Sequence, residues 1–177
     1  MSDKTRNLVL MLAASAGVLA QPAAALAQAS TAPANVPALE FAFEEVVTLA
    51  ADIPVGETSL GMRKIVPITG GRFEGPGIRG TIIPGGWDWQ LMRKDGCLQI
   101  EADYMLRTDD GVVINVINKG ASCRGADGQR QPLRTQPVFE APLGKYEWLG
   151  KSAFIGTLEP VRENGGPAVK IRFYKAR

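Results

Sequence analysis

Hydrophobic and polar side chains alternate along much of the chain, in short stretches that end at glycine- and proline-rich turns. In the last stretch, Val169, Ile171 and Phe173 alternate with Lys170 and Arg172. A period of two is typical of a strand that buries one face, and short strands at this spacing favour a barrel or a sandwich. We therefore predict an all-β domain, a single antiparallel β-barrel of about eight or nine strands with at most one short helix. The predicted strands span residues 39–49, 58–69, 73–83, 87–92, 97–107, 112–119, 136–140, 154–161 and 168–174.

Two turn sequences predict hairpins, TDDG at residues 108–111 and ENGG at residues 163–166. The last strand is expected to pair with the first, because closing the sheet removes its exposed edges. Residues 144–151 carry two aromatic side chains and are the place where one helical turn is expected. This gives a closed barrel with one short plug-like segment between two of its strands.

The first hairpin also predicts a disulfide. If a three-residue loop closes it, facing residues have numbers that sum to 220. Glu101 then lies opposite Lys119, and Cys97 lies opposite Cys123 with Cβ atoms close enough for a bridge. The alternatives are two free thiols or a register that is slipped by one residue.

The N-terminal residues have the pattern of an export signal. Lys4 and Arg6 precede an apolar run over residues 8–20, and A-x-A cleavage sites end at Ala27 and Ala29. We predict a signal peptide over residues 1–29, a flexible leader over 30–38 and the barrel domain over 39–177, in a periplasmic or secreted protein. The alternative is an uncleaved N-terminal anchor. After cleavage no membrane partner is expected.

Composition excludes several kinds of site. The chain has no histidine, so catalytic triads that need His and His metal sites cannot form within it. Lys and Arg total 20 against 18 Asp and Glu, a net charge of +2, which argues against a nucleic-acid partner. The expected partner is a small molecule, and a homodimer stays open.

Residues 75–80 (GPGIRG) match the spacing G-x-G-x-x-G. A dinucleotide fingerprint must open a helix, but a strand sequence follows here, and Pro76 removes one backbone N–H from the supposed phosphate site. Bends within the strand at 73–83 are therefore expected instead. We predict no cofactor and no metal.

The cluster Trp87-Asp88-Trp89 carries the most information about chemistry. In a strand both rings share one face and the carboxylate takes the other. Asp88 and Glu74 are the candidate catalytic residues, as general acids or bases whose pKa would be raised by burial. The alternative is an aromatic pair in the core or at the rim, beside a solvated Asp88.

Six residues are predicted to contact the ligand: Trp87, Trp89, Arg107, Asp110, Tyr146 and Trp148. Arg107 would hold an anionic group, and Trp89 or Trp148 would stack on a ring. The structural alternatives are a turn role for Asp110 and a plug at one barrel end for Tyr146 and Trp148. The sequence does not show which face of each strand is the interior.

Four motifs resemble an uncharacterised bacterial and fungal family known as domain of unknown function 3237. They are ITGGRFEGPGIRG at 68–80, PGGWDW at 84–89, TDDGVVI at 108–114 and YEWL at 146–149. The resemblance covers about residues 41–174 and implies a compact β-barrel. Some relatives are linked to the breakdown of lignin-type aromatics, which implies cofactor-free decarboxylase or lyase chemistry.

Two functions follow as hypotheses. The first is a small-molecule-binding barrel, a carrier or sensor for an aromatic or apolar ligand. The second is a cofactor-independent lyase, decarboxylase or isomerase that acts on a small aromatic compound with carboxylate acid/base residues. A carboxyl lining the interior would favour the enzyme, and an apolar cavity would favour the carrier.

Overall fold

The computed structural model describes residues 36–177, so the predicted signal peptide and most of the predicted leader lie outside the described residues. Nine strands and no helix occur in this part of the chain, and it contains no helix long and apolar enough to cross a membrane. The strands are β1 (Leu39–Leu49), β2 (Ile53–Thr58), β3 (Gly61–Gly75), β4 (Ile78–Arg93), β5 (Leu98–Thr108), β6 (Val113–Ser122), β7 (Arg134–Glu140), β8 (Phe154–Glu163) and β9 (Gly166–Ala176).

Eight of these strands close into an antiparallel barrel. From β3 to β9 each strand pairs with the next along the chain, β9 pairs with β1, and β1 pairs with β3. β2 is the additional strand and lies along the first part of β3. The predicted all-β barrel and the pairing of the last strand with the first are confirmed.

The predicted strand boundaries are wrong in the glycine-rich region, where β3 also continues through residues 70–72, at which a break was expected. Gly75 ends β3, Pro76 and Gly77 form a tight turn, and β4 then runs unbroken to Arg93. Gly77 has a φ of +74°, which suits glycine, and the missing N–H of Pro76 costs nothing in a turn. The segment at 84–86, expected to be a turn, is instead a bulge within β4, where the register shifts between Ile83 and Trp87.

The first hairpin has the predicted register. Facing residues of β5 and β6 sum to 220 throughout, and the Lys119 Nζ lies 2.7 Å from the Glu101 Oε1. The Sγ atoms of Cys97 and Cys123 lie at bonding distance, 2.09 Å apart. The disulfide therefore joins the start of β5 to the segment that follows β6.

The interior of the barrel differs between its two halves. The half where β5 ends and β6 begins is filled by packed apolar side chains, among which the rings of Phe43 and Phe173 are 4.8 Å apart and those of Phe139 and Phe154 are 5.0 Å apart. The other half contains polar side chains. Buried members of the apolar half include Phe43, Phe73, Ile78, Leu106, Ile114, Phe139, Phe154 and Phe173.

Residues 141–153, the plug segment, cover the end of the apolar half. Tyr146 and Leu149 are buried there in the main core, which fits the structural alternative given above for Tyr146. The expected helical turn is replaced by two overlapping turns, in which Glu147 N donates to Gly144 O and Leu149 N donates to Tyr146 O. The polar half of the interior adjoins the opposite end of the barrel, which the plug does not cover and which we call the far end.

Candidate functional site

Several polar side chains face the barrel interior at its middle and toward the far end, and five of them are treated as one group. We call them the interior polar cluster: Glu45, Asp88, Tyr104, Asn118 and Thr135. Four of them are almost completely buried, with Glu45 1%, Tyr104 2% and Asn118 and Thr135 0% exposed. Buried polar groups of this kind are uncommon, and each needs a hydrogen-bond partner or a functional reason.

The strand register aims these side chains at one another. Asp88 on β4 faces Val66 and Ala102, both buried, and Ala102 in turn faces Asn118 on β6. Thr135 on β7 faces Gly120, two residues beyond Asn118 along β6. Because side chains alternate along a strand, these residues share the interior face.

Glu45 and Tyr104 form a hydrogen-bonded pair across the centre of the barrel. The Tyr104 hydroxyl donates to Glu45 Oε1, while Glu45 Oε2 has no hydrogen-bond partner. Burial raises the pKa of Glu45 to about 8, and the bond from Tyr104 opposes this only in part. Glu45 is therefore mostly protonated at pH 7. Since Oε1 already accepts a hydrogen bond from the Tyr104 hydroxyl, the carboxyl proton belongs on Oε2.

Asp88 is the second interior carboxyl. Its Oδ2 accepts from Gln90 Nε2 at 2.7 Å and its Oδ1 accepts from the Glu101 backbone N–H at 3.0 Å. Burial raises the pKa of Asp88, and the two hydrogen bonds offset only part of that effect. On the same face, Gln90 faces Lys64, whose side chain is 42% exposed and whose ammonium pairs with Asp52. Polar groups thus continue from the deep Glu45 pair toward solvent at the far end.

Three further polar atoms of the cluster have no partner. They are the side-chain nitrogen and oxygen of Asn118 and the Oγ1 of Thr135. Leaving a buried donor or acceptor unpaired costs about 1–3 kcal/mol each. Such a cost is typical of positions kept for a bound water or a ligand rather than for stability.

The barrel wall has its fewest strand-to-strand pairs beside Thr135. β7 and β8 are paired only at Arg134 with Thr157 and at Thr135 with Gly156. A cleft of about 450 Å³ lies against the outer side of this seam and is lined in part by Gly120, Thr135 and Ile155. The seam is the part of the wall that needs the fewest hydrogen bonds broken for a small molecule to pass.

The residues predicted around β4 lie on both sides of the wall. Both tryptophan rings share the outer face and Asp88 takes the inner one, so the predicted alternation is confirmed. Trp87 is 52% exposed, and the guanidinium of Arg63 lies over the Trp89 ring at 4.8 Å. Arg107 is exposed on the outer face of β5. The structure therefore does not bring these side chains together with Asp88, and their predicted roles stay predictions.

Glu74 also faces outward, into a surface cleft of about 830 Å³ that follows the outer face of β1. Charges in that cleft largely pair with one another: Arg79 Nε lies 2.6 Å from Asp109, and Arg172 Nε lies 2.7 Å from Glu44. Exposed ion pairs of this kind contribute little free energy. The cleft is a weaker candidate than the interior because most of its charged groups already have partners.

Asp110, Tyr146 and Trp148 belong to the plugged end. The Asp110 carboxylate accepts from the Tyr146 hydroxyl at 2.9 Å, the Lys145 ammonium at 2.8 Å and the Thr108 hydroxyl at 2.6 Å. These bonds, above all that from Lys145, hold the pKa of Asp110 well below its usual range. Trp148 packs against Phe154. The contacts place all three residues in the attachment of the plug.

Among residues 36–177, no group of three Cys, Asp or Glu side chains is arranged to hold a metal ion. The site is therefore described by its carboxyl, hydroxyl and amide groups.

Comparison with known proteins agrees with this architecture. Residues 37–176 match the family described as Protein of unknown function (DUF3237). The chain belongs to this family. A UPF0311 protein of Rhodopseudomonas palustris is 36% identical over 137 residues, which cover 68% of this chain and 88% of that protein. The crystal structure of a β-barrel like protein from Acinetobacter baumannii superposes with a TM-score of 0.71 at 31% identity, covering 80% of this chain and 97% of that one.

One more distant relative has a named activity. A hydroalkoxylation enzyme of Penicillium herquei is 28% identical over 121 residues, covering 68% of this chain and 74% of that protein. At least one relative of this chain is therefore described as an enzyme.

Sequence reasoning missed four members of the interior polar cluster in this DUF3237 barrel. A signal is present in two strands, because Glu45 and Asn118 each lie in a row of every second residue that is otherwise apolar. In β1 that row contains Phe43, Glu45 and Val47. A polar residue at an apolar position of a strand is the pattern to look for. Tyr104 and Thr135 gave no such signal, since both are common on either face of a strand.

Proposed function

We propose that this chain is an acid catalyst that binds a small, neutral, largely apolar molecule in the polar half of its barrel and protonates it from Glu45. The observation that carries the proposal is the unpartnered Oε2 of a buried carboxyl whose pKa is about 8. A carboxylic acid that keeps its proton at neutral pH, in surroundings of low polarity, is suited to general acid catalysis.

The reaction class is addition of a hydroxyl group across a carbon–carbon double bond within one substrate, or the reverse elimination. Glu45 Oε2 transfers its proton to the less substituted alkene carbon, and the other carbon becomes cationic. The substrate hydroxyl oxygen then bonds to that carbon, and its proton returns to Oε2. Atoms balance as an isomerisation without a co-reactant. The hydrogen bond from Tyr104 stabilises the carboxylate while the cation exists.

Two further observations support this proposal. The named activity of the fungal relative, hydroalkoxylation, is this class of reaction. Aliphatic side chains adjoin the cluster on the interior face, among them Val47 and Ile68, and would contact an apolar substrate. Asp88, predicted from sequence as a catalytic acid or base, lies on the same face, and we assign it the supply of protons from the far end. Glu74 and Arg107 face outward and have no part in the reaction.

The proposal is tested with 2-(3-methylbut-2-enyl)phenol, whose alkene gives a tertiary cation and whose product is the cyclic ether. We expect the wild-type chain to form the ether and Glu45→Gln to lower the rate by about 10²- to 10⁴-fold, the usual contribution of a general acid. The rate should fall as pH rises through about 8, because the protonated carboxyl is required. Glu140→Gln, an exposed carboxyl on β7, is the matched control.

An unchanged rate in Glu45→Gln excludes Glu45 as the acid. Binding of the phenol without turnover by the wild-type chain would favour the second candidate, a carrier for apolar molecules. The unpaired buried polar atoms beside aliphatic side chains such as Val47 and Ile68 support that candidate. Thermal shift separates these outcomes, because a ligand that binds the folded state raises the apparent stability.

We also propose that the chain is exported to the periplasm or secreted, with cleavage after Ala27 or Ala29. The pattern of the first 29 residues supports this, and so does the Cys97–Cys123 pair, because disulfides persist mainly in oxidising compartments. The mass measurement described in the Discussion tests both cleavage and the bridge.

A further inference from the structure

Asn118 and Thr135 are the two members of the interior polar cluster whose side chains make no hydrogen bond. Both are fully buried, and their three side-chain polar atoms are all unpartnered. Glu45 and Asp88, in contrast, each hold at least one hydrogen bond. The unpaired capacity of the interior is therefore concentrated in an amide and a hydroxyl on two adjacent strands.

The register brings this amide and hydroxyl together. Asn118 faces Pro137 and Gly120 faces Thr135, so Asn118 and Thr135 are diagonal neighbours with Cα atoms roughly 7–8 Å apart. A Cβ atom added at Gly156 would lie 2.0 Å from Thr135 Oγ1, so the hydroxyl lies directly over that glycine. This places the hydroxyl at the β7–β8 seam, where only two residue pairs join the neighbouring strands.

The charges around this pair favour a neutral partner. The ionisable groups of the cluster are the carboxyls of Glu45 and Asp88 and the hydroxyl of Tyr104, and none of them offers an anion a positive charge. The Lys64 ammonium lies toward the far end and is engaged with Asp52 at 2.8 Å. An amide and a hydroxyl together both donate and accept, which matches a hydroxyl group.

We propose that Asn118 and Thr135 form a binding subsite for one un-ionised hydroxyl group of the ligand, so that the substrate class is neutral phenols or alcohols and not carboxylates or phosphates. The ligand hydroxyl accepts from Asn118 Nδ2 and donates to Thr135 Oγ1. The inference rests on the proposed function, because this ligand is the molecule that Glu45 protonates.

The test uses three saturated probes that bind without reacting: 2-(3-methylbutyl)phenol, its methyl counterpart 1-methyl-2-(3-methylbutyl)benzene, and 2-(3-methylbutyl)benzoate. Dissociation constants are measured by calorimetry on the wild-type chain and on Asn118→Leu and Thr135→Val, which keep the side-chain volume. We expect the phenol to bind about tenfold more tightly than the hydrocarbon, and the benzoate to bind most weakly. Each variant should abolish the preference for the phenol while leaving the affinity for the hydrocarbon unchanged.

Matched controls come from the outer faces of the same region. Asn115→Leu on β6 and Thr157→Val on β8 remove the same groups outside the barrel and should leave the preference intact. The two interior variants should melt at or above the wild-type temperature, since they remove unpaired polar atoms and no hydrogen bond within the protein. A clear loss of folding in both would show a structural role and overturn the inference.

The failures of the two proposals are distinguishable. If the variants retain the preference for the phenol, ordered water alone occupies the pair and the inference is wrong, whatever Glu45→Gln does to turnover. Tighter binding of the benzoate also contradicts it. If Glu45→Gln keeps full turnover but the preference disappears in the variants, the subsite stands and the acid role falls. If no probe binds, both proposals fail.

Discussion

The buried carboxyl of Glu45 makes stability depend on pH in a direction opposite to that of most acidic residues. Burial raises its pKa from 4.5 to about 8, so the folded chain holds this proton more tightly than the unfolded chain does. The stabilisation that comes from the Glu45 proton is therefore complete below about pH 4.5. It decreases as pH rises and is lost above about pH 8. Glu45→Gln keeps a hydrogen-bond acceptor for Tyr104 but cannot ionise.

The size of the effect follows from the pKa difference. Each pH unit between the unfolded and folded pKa values costs about 1.4 kcal/mol of the free energy of unfolding. The wild-type chain should therefore lose roughly 3 kcal/mol between pH 4.5 and pH 7, and roughly 4–5 kcal/mol by pH 8.5. This is a large part of the 5–15 kcal/mol that is typical of a domain.

The assay is urea unfolding of the wild-type chain and Glu45→Gln at pH 4.5, 7 and 8.5, with Glu140→Gln as the exposed control. We expect the difference in unfolding free energy between Glu45→Gln and the wild-type chain to grow by the amounts above, in favour of the variant. Asp88, whose pKa is also raised by burial, adds a smaller slope of the same sign in both chains. Parallel stability curves between pH 5 and pH 8 would refute the reasoning, because they would mean that Glu45 ionises freely.

Two more predictions concern the disulfide and the plug. Intact-mass measurement of exported protein should show an N-terminus at Gln28 or Ser30 and a gain of about 2 Da on reduction. Reduction should lower the free energy of unfolding by about 3–4 kcal/mol, because the bridge closes a loop between residues 26 positions apart. A full-length mass would contradict export, and no gain in mass would contradict the bridge. Asp110→Asn should increase hydrogen exchange across residues 143–150 at neutral pH, with Asp109→Asn as control. In the wild-type chain the plug should loosen only as pH falls below about 4, because the lowered pKa of Asp110 keeps its carboxylate ionised and bonded at higher pH. Equal exchange in the two variants would contradict this role of Asp110.

Much of the barrel could be predicted because its information is local. Alternating side chains identify strands, and the turns at 108–111 and 163–166 set the register of two hairpins. That register was enough to predict the Cys97–Cys123 bridge. The glycine-rich region was misread because Gly and Pro occur both in turns and in bulges, and the choice between Pro76-Gly77 and Pro84-Gly85-Gly86 as the turn depends on pairing with β5.

The candidate site was less accessible to prediction for a different reason. Parity along β4 correctly separated Asp88 from its two tryptophans, but parity alone does not show which face is inside. Only closure of β1 against both β3 and β9 fixes that, and it brings Glu45 to Tyr104 across 59 positions of sequence. Contacts of that separation leave no periodic trace in a single sequence.

The two halves of the barrel have opposite effects on stability. The plugged half buries packed aromatic rings, which stabilise the fold, whereas the far half carries a protonated carboxyl and three unpaired polar atoms, which destabilise it. The disulfide lies at the far end, between the start of β5 and the segment after β6, away from the aromatic rings of the plugged half. A covalent bridge at that place compensates for polar groups that the fold itself does not need, as expected if those groups are kept for a ligand.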